Sequence, residues 1–524
     1  MSPSADQLSS QAARGTVWLG LVNVLSKGSQ IVVTIALGHF LSRGQVGAVT
    51  IAVVLVNLGQ TLQSMGVYDV VTRTRHDPLE FAGSVATLSV LTASAATLVL
   101  VVFGGAIADA AGAPNAGGPL RVAALGLPFT AYFGVQMGYL HRLLDFRRRL
   151  VPDAGSALAG ATVTVVCAAT GAGAWSLVAG LLVTAVLGPL LGLAVGVRLR
   201  LRADREHLAE ALSWVRVVGP AAVLGIVLLN VDYLVVSRVL GEEANGLYSY
   251  AYRFAFVPFI MIGVVIGGVA FPVYTRIIHA DGGQPGAAIG PAFTRFVHAL
   301  VASTGGLYLL LALLAPRIVV IDQRWAPSVP VLRVLCLYGF GLCLVQAGYD
   351  ALRASGRPGL YLRGQGLHVV LLTTLAIVLV HRDGIVGVAW AQVIAVAVVV
   401  ALVAVLLVRQ RIAQPGLARA MAGPAAAAVT TVAGYAVLGS AGALPANGSL
   451  VGLLWLGLAL GGCYAGVLAV ADARVLRELV GLIGRRAEPS VPAGPAAPAG
   501  PAAPSEPAEP AEPAEPAGPV GPVR

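Results

Sequence analysis

The stretch Gly384–Val408, GIVGVAWAQVIAVAVVVALVAVLLV, carries no charged side chain and reads as one long apolar helix. A helix apolar on every face is either buried in a large core or set in lipid. At 1.5 Å per residue it crosses the ~30 Å hydrocarbon layer in about 20 residues. Similar runs recur along the whole chain. Splitting at charged or Gly/Pro-rich interruptions gives fourteen candidate spans, near 16–40, 45–67, 79–104, 119–140, 152–171, 174–197, 216–237, 245–272, 292–315, 328–351, 359–380, 384–408, 418–438 and 450–471. Of 524 residues, 57% are hydrophobic and 11% charged, against about 25% charged in an ordinary soluble domain. The composition excludes a soluble enzyme, and the repetition excludes a single-span anchor bearing a globular head. The expected fold class is all-α: a polytopic membrane protein with about fourteen transmembrane helices.

The 34 Lys and Arg outnumber the 24 Asp and Glu. The excess arginine lies in short connections rather than in one patch, so nucleic acid is not an expected partner. With the N-terminus inside, twenty-two arginines fall in or beside the even-numbered connections and the segment after the last span, among them Arg147 to Arg149, Arg198, Arg200, Arg202 and Arg205. The odd-numbered connections hold five: Arg43, Arg238, Arg317, Arg324 and Arg382. Positive connections stay cytoplasmic, so both termini are expected inside a cell membrane. Residues 16–40 read as a retained first helix rather than a signal peptide, since no small-residue cleavage site follows the polar start. Cys167, Cys336, Cys343 and Cys463 all sit within apolar runs, where they behave as small core residues, with neither a disulfide nor a metal spacing indicated. After Arg486 the composition turns to Ala, Pro, Gly and Glu, with Glu-Pro-Ala repeated from Glu506. Such a tract has too little apolar surface to fold and is expected to be an extended, disordered tail.

An echo links the two halves. Phe40-Leu41-Ser42-Arg43-Gly44-Gln45-Val46-Gly47 resembles Val239-Leu240-Gly241-Glu242-Glu243-Ala244-Asn245-Gly246, and each precedes a long helix closing in Thr-Arg. A repeat at a six-helix offset is the pattern of a two-lobed transporter with its site between the lobes, although apolar helices can also resemble one another by chance. The expected organisation is a short cytoplasmic segment 1–15, an N-lobe 16–197, a basic linker 198–215 and a C-lobe 216–408. Residues 409–486 then add two helices and a basic juxtamembrane segment, and 487–524 form the tail.

Ionisable groups inside a bilayer are costly, and they face a cavity or a partner. Lys27 falls about 16 Å along the first span, near the midplane. Asn23, Lys27, Gln30 and Thr34 recur at helical offsets as one polar stripe, and Thr50, Asn57, Gln60, Thr61 and Ser64 form another on the second span. Together they suggest a hydrated cavity wall, with helix packing as the alternative use of such residues. Asp232 and Arg253 fall at similar depths on the seventh and eighth spans, where an ion pair or a role in coupling are both open. Tyr248, Ser249, Tyr252, Arg253 and Phe256 give the eighth span a polar and aromatic face, and Pro258 predicts a kink. Tyr338, Gln346, Tyr349, Asp350, Tyr361, Gln365 and His368 read as interfacial or packing groups. There is no Walker-type loop, no His/Glu metal constellation and no outer loop with clustered carboxylates, so catalytic and metal residues are not expected.

Several motifs, in order, resemble a known family. Leu140-His141-Arg142-Leu143-Leu144-Asp145-Phe146-Arg147-Arg148 is similar to the basic loop after the fourth helix of polysaccharide exporters. Gly171-Ala172-Gly173-Ala174-Trp175-Ser176-Leu177-Val178 resembles their turn into the sixth. Asn230-Val231-Asp232-Tyr233, Gly246-Leu247-Tyr248-Ser249-Tyr250-Ala251-Tyr252-Arg253 and Phe271-Pro272 resemble their seventh- and eighth-helix signature. The chain is thereby similar, over roughly 14–410, to the oligosaccharide flippases of the multidrug/oligosaccharidyl-lipid/polysaccharide exporter superfamily. That resemblance implies two six-helix lobes, alternating access, and transfer of polyprenyl-(pyro)phosphate-linked glycan to the outer leaflet. Lys27 and Arg253 are then expected to hold the anionic phosphate and sugar, with Asn23, Gln30, Asn57, Gln60 and Tyr252 as further substrate contacts. Asp232 is expected to pair with Arg253 or to carry a proton or sodium ion. No cofactor is expected beyond such a gradient, and the expected partners are the glycan-lipid substrate, membrane lipids and polysaccharide-assembly machinery. The two extra C-terminal helices also occur in peptidoglycan-precursor flippases, where they contribute a groove for the lipid tail. That function and a cation-coupled multidrug antiporter are the alternatives, and a membrane glycan polymerase or ligase is the alternative from another class.

Overall fold

A computed structural model of the chain describes residues 28–472 except 31, 65–70, 72–75, 144, 281–286, 319–321, 415 and 446–448. Among the described residues regular structure is helical throughout, and ten helical runs are long and apolar enough to cross a membrane. The first half comprises α1 (Gly28–Phe40), α2 (Arg43–Ser64), α3 (Pro78–Ala110), α4 (Gly117–Ala124), α5 (Leu127–Arg142), α6 (Phe146–Ala169) and α7 (Trp175–Ala194). The second comprises α8 (Arg205–Leu228), α9 (Val231–Pro258), α10 (Val264–Ala280), α11 (Gly290–Ile318), α12 (Val329–Ala354) and α13 (Pro358–Arg409), and α14 (Ala422–Ser440) and α15 (Leu450–Ala471) follow. The expected tail lies outside the described residues.

Local chemistry sets the helix ends. Asp77 accepts from the N–H of Leu79 and Glu80, both at 3.0 Å, with Pro78 in the first turn of α3. Asp204 caps α8 in the same way, at 2.9 Å from Glu206 N and 3.2 Å from His207 N. That cap starts the helix at Arg205, so the second half of the expected linker 198–215 is helical. The N–H groups of His207 and Glu206 hold the Asp204 carboxyl below the usual carboxylate range. Two long runs each contain a kink where two helical arms meet. Gly241 in α9 has φ 81° and Gly384 in α13 has φ 57°, a region glycine enters without steric cost. Pro258 ends α9, and a π-helical turn, Phe259–Gly263, carries the chain into α10. The expected break thus takes the form of a π turn directly after Pro258, whose missing N–H interrupts the helical ladder.

Small residues let the helices approach closely. A Cβ at Gly160 of α6 would sit 1.9 Å from Thr184 Oγ1 of α7, and one at Gly180 would sit 1.9 Å from Thr164 Oγ1. In lipid, where apolar contact with solvent is no penalty, close backbone packing of this kind is what holds helices together. The two halves meet through the echoed segments. A Cβ at Gly47 would lie 1.8 Å from Glu242 O, and one at Gly246 would lie 2.0 Å from Arg43 O. Gly47 and Gly246 are equivalent in the echo, as are Arg43 and Glu242, and three residues on, Thr50 Oγ1 lies 3.3 Å from Ser249 Oγ. The reciprocity is that of two related helices crossing at a pseudo-twofold axis.

The seam lies at the arginine-poor end of the bundle. Asn115 donates to Glu242 there, and Arg43 donates to Arg324 O at 2.8 Å. At the opposite end His76 meets Glu210 at 3.1 Å and Arg202 meets Glu80 at 3.0 Å. α14 and α15 dock on α11: Tyr464 Oη donates to Ala302 O at 2.9 Å, and His298 pairs with Asp472 at 2.9 Å. The four cysteines are free, Cys336 and Cys343 buried, as small core residues should be.

Candidate functional site

A cavity of about 540 Å³ begins where the seam between α2 and α9 ends. Its wall is built from α1, α2, α6, α7, the end of α8 and both arms of α9. On α1, Gln30 and Thr34 line it one turn apart, and on α2, Thr50 and Asn57 line it two turns apart, so both polar stripes face the same void. Several hydroxyls are already engaged: Thr34 bonds back to Gln30 O at 2.8 Å, Thr50 to Val46 O at 2.7 Å and Thr164 to Gly160 O at 2.9 Å. Amides and the Arg253 guanidinium are therefore the stronger groups for a ligand.

Arg253 is half-buried on the wall, its Nη2 3.5 Å from Thr50 Oγ1. No acidic residue is among the cavity's described lining, and none pairs with Arg253. Among the described residues the cavity wall thus presents the Arg253 positive charge amid neutral hydrogen-bonding groups, an arrangement that attracts an anion and repels a cation.

The structure brings together Gln30, Asn57, Tyr252 and Arg253 in one wall. Asn23 and Lys27 lie outside the described residues. Gln60 does not line the cavity; it falls almost a turn past Asn57 on α2, beyond the lined stretch, where it is half-buried.

The expected pairing of Asp232 with Arg253 is not formed. Asp232 is fully buried in the first turn of α9, and its Oδ2 accepts from Tyr248 Oη at 2.8 Å and from Gln392 Nε2 at 2.9 Å. Asp232 Oδ1 and Gln392 Oε1 are left without hydrogen-bond partners. Tyr233 and Tyr252 separate this pocket from the cavity, their rings 5.3 Å apart, with Tyr248 5.8 Å from Tyr233 and Tyr338 6.2 Å from Tyr252. The physical reason is directional: α9 turns Asp232 inward toward α13, whereas Arg253, on the other arm, faces the void. Gln392 escaped the sequence reading, although it is the one strongly polar side chain in Gly384–Val408. The expected packing role of the α12 group is met by Asp350, which accepts from Gln346 at 3.0 Å and pairs with Arg353. Arg353 in turn lies 5.4 Å from the Phe271 ring and 5.3 Å from that of Tyr361.

A second cavity, about 710 Å³, lies between α11, α12, the second arm of α13, α14 and α15. Phe293, Val301, Leu309, Phe340, Val403 and Leu417 are typical of its lining, and no charged residue is among its described lining.

Comparison with known proteins gives a consistent placement. The succinoglycan biosynthesis transport protein ExoT of Rhizobium meliloti (strain 1021) is 29% identical over 328 residues, covering 62% of this chain and 65% of that protein. The lipopolysaccharide biosynthesis protein WzxC of Escherichia coli (strain K12) is 23% identical over 336 residues, covering 62% and 66%. The matched region thus spans just under two thirds of each relative's length. Among solved structures, the lipid II flippase MurJ in an inward closed conformation superposes with a TM-score of 0.67 at 13% identity, covering 89% of this chain and 99% of MurJ. An inward-facing multidrug resistance MATE family transporter of the MOP superfamily superposes at 0.58 with 15% identity, covering 75% and 95%. These likenesses establish the fold as that of the superfamily's transporters. The family described as polysaccharide biosynthesis protein matches residues 36–330, more than half of the chain, and to that family this protein belongs.

Proposed function

We propose that this protein carries a lipid-linked oligosaccharide across a cell membrane by alternating access, moving it from the inner to the outer leaflet. The observation that carries the reading is the cavity at the pseudo-twofold seam, with Arg253 unpaired by any described carboxylate and Gln30 and Asn57 beside it. A phosphate or diphosphate joins sugar to polyprenol in such substrates, and a guanidinium holds phosphate oxygens strongly where water is scarce. Neutral amides suit the hydroxyls of a sugar. The apolar cavity beside α14 and α15 suits the polyprenyl chain. Lys27, on the stripe that Gln30 and Thr34 continue, is proposed as a second cation for the phosphate. The proposed organisation is two six-helix lobes with two further helices, fourteen crossings in all, and both termini on the arginine-rich, cytoplasmic side.

Asp232 is proposed to bind the coupling proton or sodium ion. Its open Oδ1 and the Gln392 Oε1 supply oxygens in a pocket separated from the cavity by Tyr233 and Tyr252. The absence of a described carboxylate from the cavity weighs against cationic drugs as substrates. The peptidoglycan-precursor alternative is favoured by one observation, the apolar cavity beside the two extra helices, and shares the same site chemistry.

The test is reconstitution. Purified protein in liposomes is given a labelled polyprenyl-diphosphate oligosaccharide, and its appearance in the far leaflet is followed with an enzyme acting only there. The wild type is expected to transfer it and Arg253→Ala to fail, while a labelled lipid II in the same assay separates the two glycan readings. Normal transfer by Arg253→Ala at normal protein level overturns the site assignment.

A further inference from the structure

The last turn of α1 carries carbonyls that no helical N–H serves. Ser42 N, the donor that would reach Gly38 O, is turned instead to Gln45 Oε1 at 3.0 Å. The vacancy is filled from the other half of the molecule. The 3-10 turn Gln323–Ser328, between α11 and α12, places Trp325 Nε1 2.7 Å from Gly38 O. Arg324 donates to Gly38 O at 3.1 Å and to His39 O. Arg43 Nε completes the link by donating to Arg324 O at 2.8 Å.

The turn is built to hold this position. Asp322 caps it, accepting from Arg324 N at 3.0 Å and pairing with the Arg324 guanidinium at 2.7 Å. The Trp325 ring is fully buried and stacks on Tyr250 at 4.2 Å and 22°. Tyr250 in turn lies so close to Gly38 that a Cβ there would be 2.5 Å from its ring. Ser328 Oγ donates to Leu247 O at 2.9 Å, anchoring the far end of the turn to α9. A separate tie closes the same end: the backbone and side-chain amides of Asn115 both donate to the Glu242 carboxylate at 2.8 Å.

We propose that the Gln323–Ser328 turn is a latch that keeps the arginine-poor end of the cavity shut, with Trp325 as its bolt and Asn115–Glu242 as an auxiliary tie. The contacts join helices of opposite halves, so any opening of that end must break them. Closing costs little to reverse, because each bond ends on a backbone carbonyl or a carboxylate that water can serve once the seam parts. The latch makes the two ends unequal: a packed aromatic clamp at one, the cavity toward the other. This inference rests on the alternating-access reading above.

The test reads conformation separately from substrate. A cysteine is placed at Thr50, on the cavity wall next to the seam, and its reaction with a membrane-impermeant maleimide added outside intact cells is timed against the parent's background. Trp325→Ala is expected to raise the rate by about tenfold, as when a buried hydrogen bond and a stacked ring are taken from one of two states. Trp325→Phe keeps the stacking and should fall between, and a monodisperse elution profile for it excludes misfolding as the cause. In a second arm, Asn115→Cys with Glu242→Cys is oxidised to a disulfide, which is expected to stop glycan transfer until reductant restores it. Unchanged labelling in both tryptophan variants, or full transfer through the oxidised pair, overturns the latch. Faster labelling of the Thr50→Cys protein, with no glycan transfer by the protein that keeps Thr50, overturns the function while leaving the latch standing.

Discussion

The two cavities occupy one helical bundle and present opposite chemistry. That between the halves offers Arg253, Asn57 and Gln30, while that beside α14 and α15 is walled by Phe293, Leu309, Phe340 and Val403 with no charge among the described lining. An amphiphile with an anionic, hydroxyl-rich head and a long hydrocarbon tail needs both kinds of surface, because a head group stripped of hydrogen bonds and a tail held in water are each costly. The contrast teaches that the cation without a described carboxylate partner stands in the cavity between the halves, while the described lining of the other cavity is apolar. The second half keeps its own buried carboxylate, Asp232, behind a wall of tyrosines.

The sharpest way to break this contrast is to remove the cation. Arg253→Ala is expected to lower glycan transfer at least tenfold, and Arg253→Lys to restore part of it, since a lysine keeps the charge but loses the planar fork. Transfer assays in liposomes at matched protein content decide it. Next comes Asp232→Asn, an isostere that retains the bonds to Tyr248 and Gln392. Transfer should lose its dependence on an imposed proton or sodium gradient and slow by about tenfold, within the range of typical coupling energies. A gradient response equal to wild type would remove Asp232 from coupling.

Filling the apolar cavity sharpens the comparison from its other side. Ala312→Phe should slow transfer of a substrate with a full-length polyprenol several-fold and leave a short-chain analogue nearly unaffected. Equal slowing of both would mean that the tail does not use that space. Below these in functional effect, Gly160→Val tests the scaffold of the polar cavity. The new side chain would collide with Thr184 and Gly180, and overpacking typically costs about 1–3 kcal/mol, to be read as a lowered Tm in detergent. The smallest effect belongs to the cap of α8. The Asp204 carboxyl is held below its usual range, so its cap is fully formed above the ordinary carboxylate pKa of about 3.9. The contribution is lost as pH falls through the lowered value, and Asp204→Ala should remove this pH dependence with a change in Tm of about a degree or two.

Much of the architecture was legible because apolar runs of bilayer length have one stable use. The echo between Phe40–Gly47 and Val239–Gly246 was legible as well, and its packing partners turned out to be each other. The site was half legible. Spacing put Gln30 with Thr34 and Thr50 with Asn57 on single faces, and depth singled out Arg253, but Gln60 shares the stripe and misses the void. The pairing of Asp232 with Arg253 failed because depth along a helix says nothing of the direction a side chain takes around it.

Composition and periodicity alone determined that this chain is a helical membrane protein with arginine gathered at one side, since both follow from transfer free energies that act residue by residue. Tertiary structure alone decided which polar groups share a cavity, that Gln392 from the most apolar stretch serves Asp232, and that a turn between α11 and α12 grips the end of α1. Those contacts join residues 160 and 287 positions apart. Their energy depends on distance and angle in space, and no local pattern encodes either.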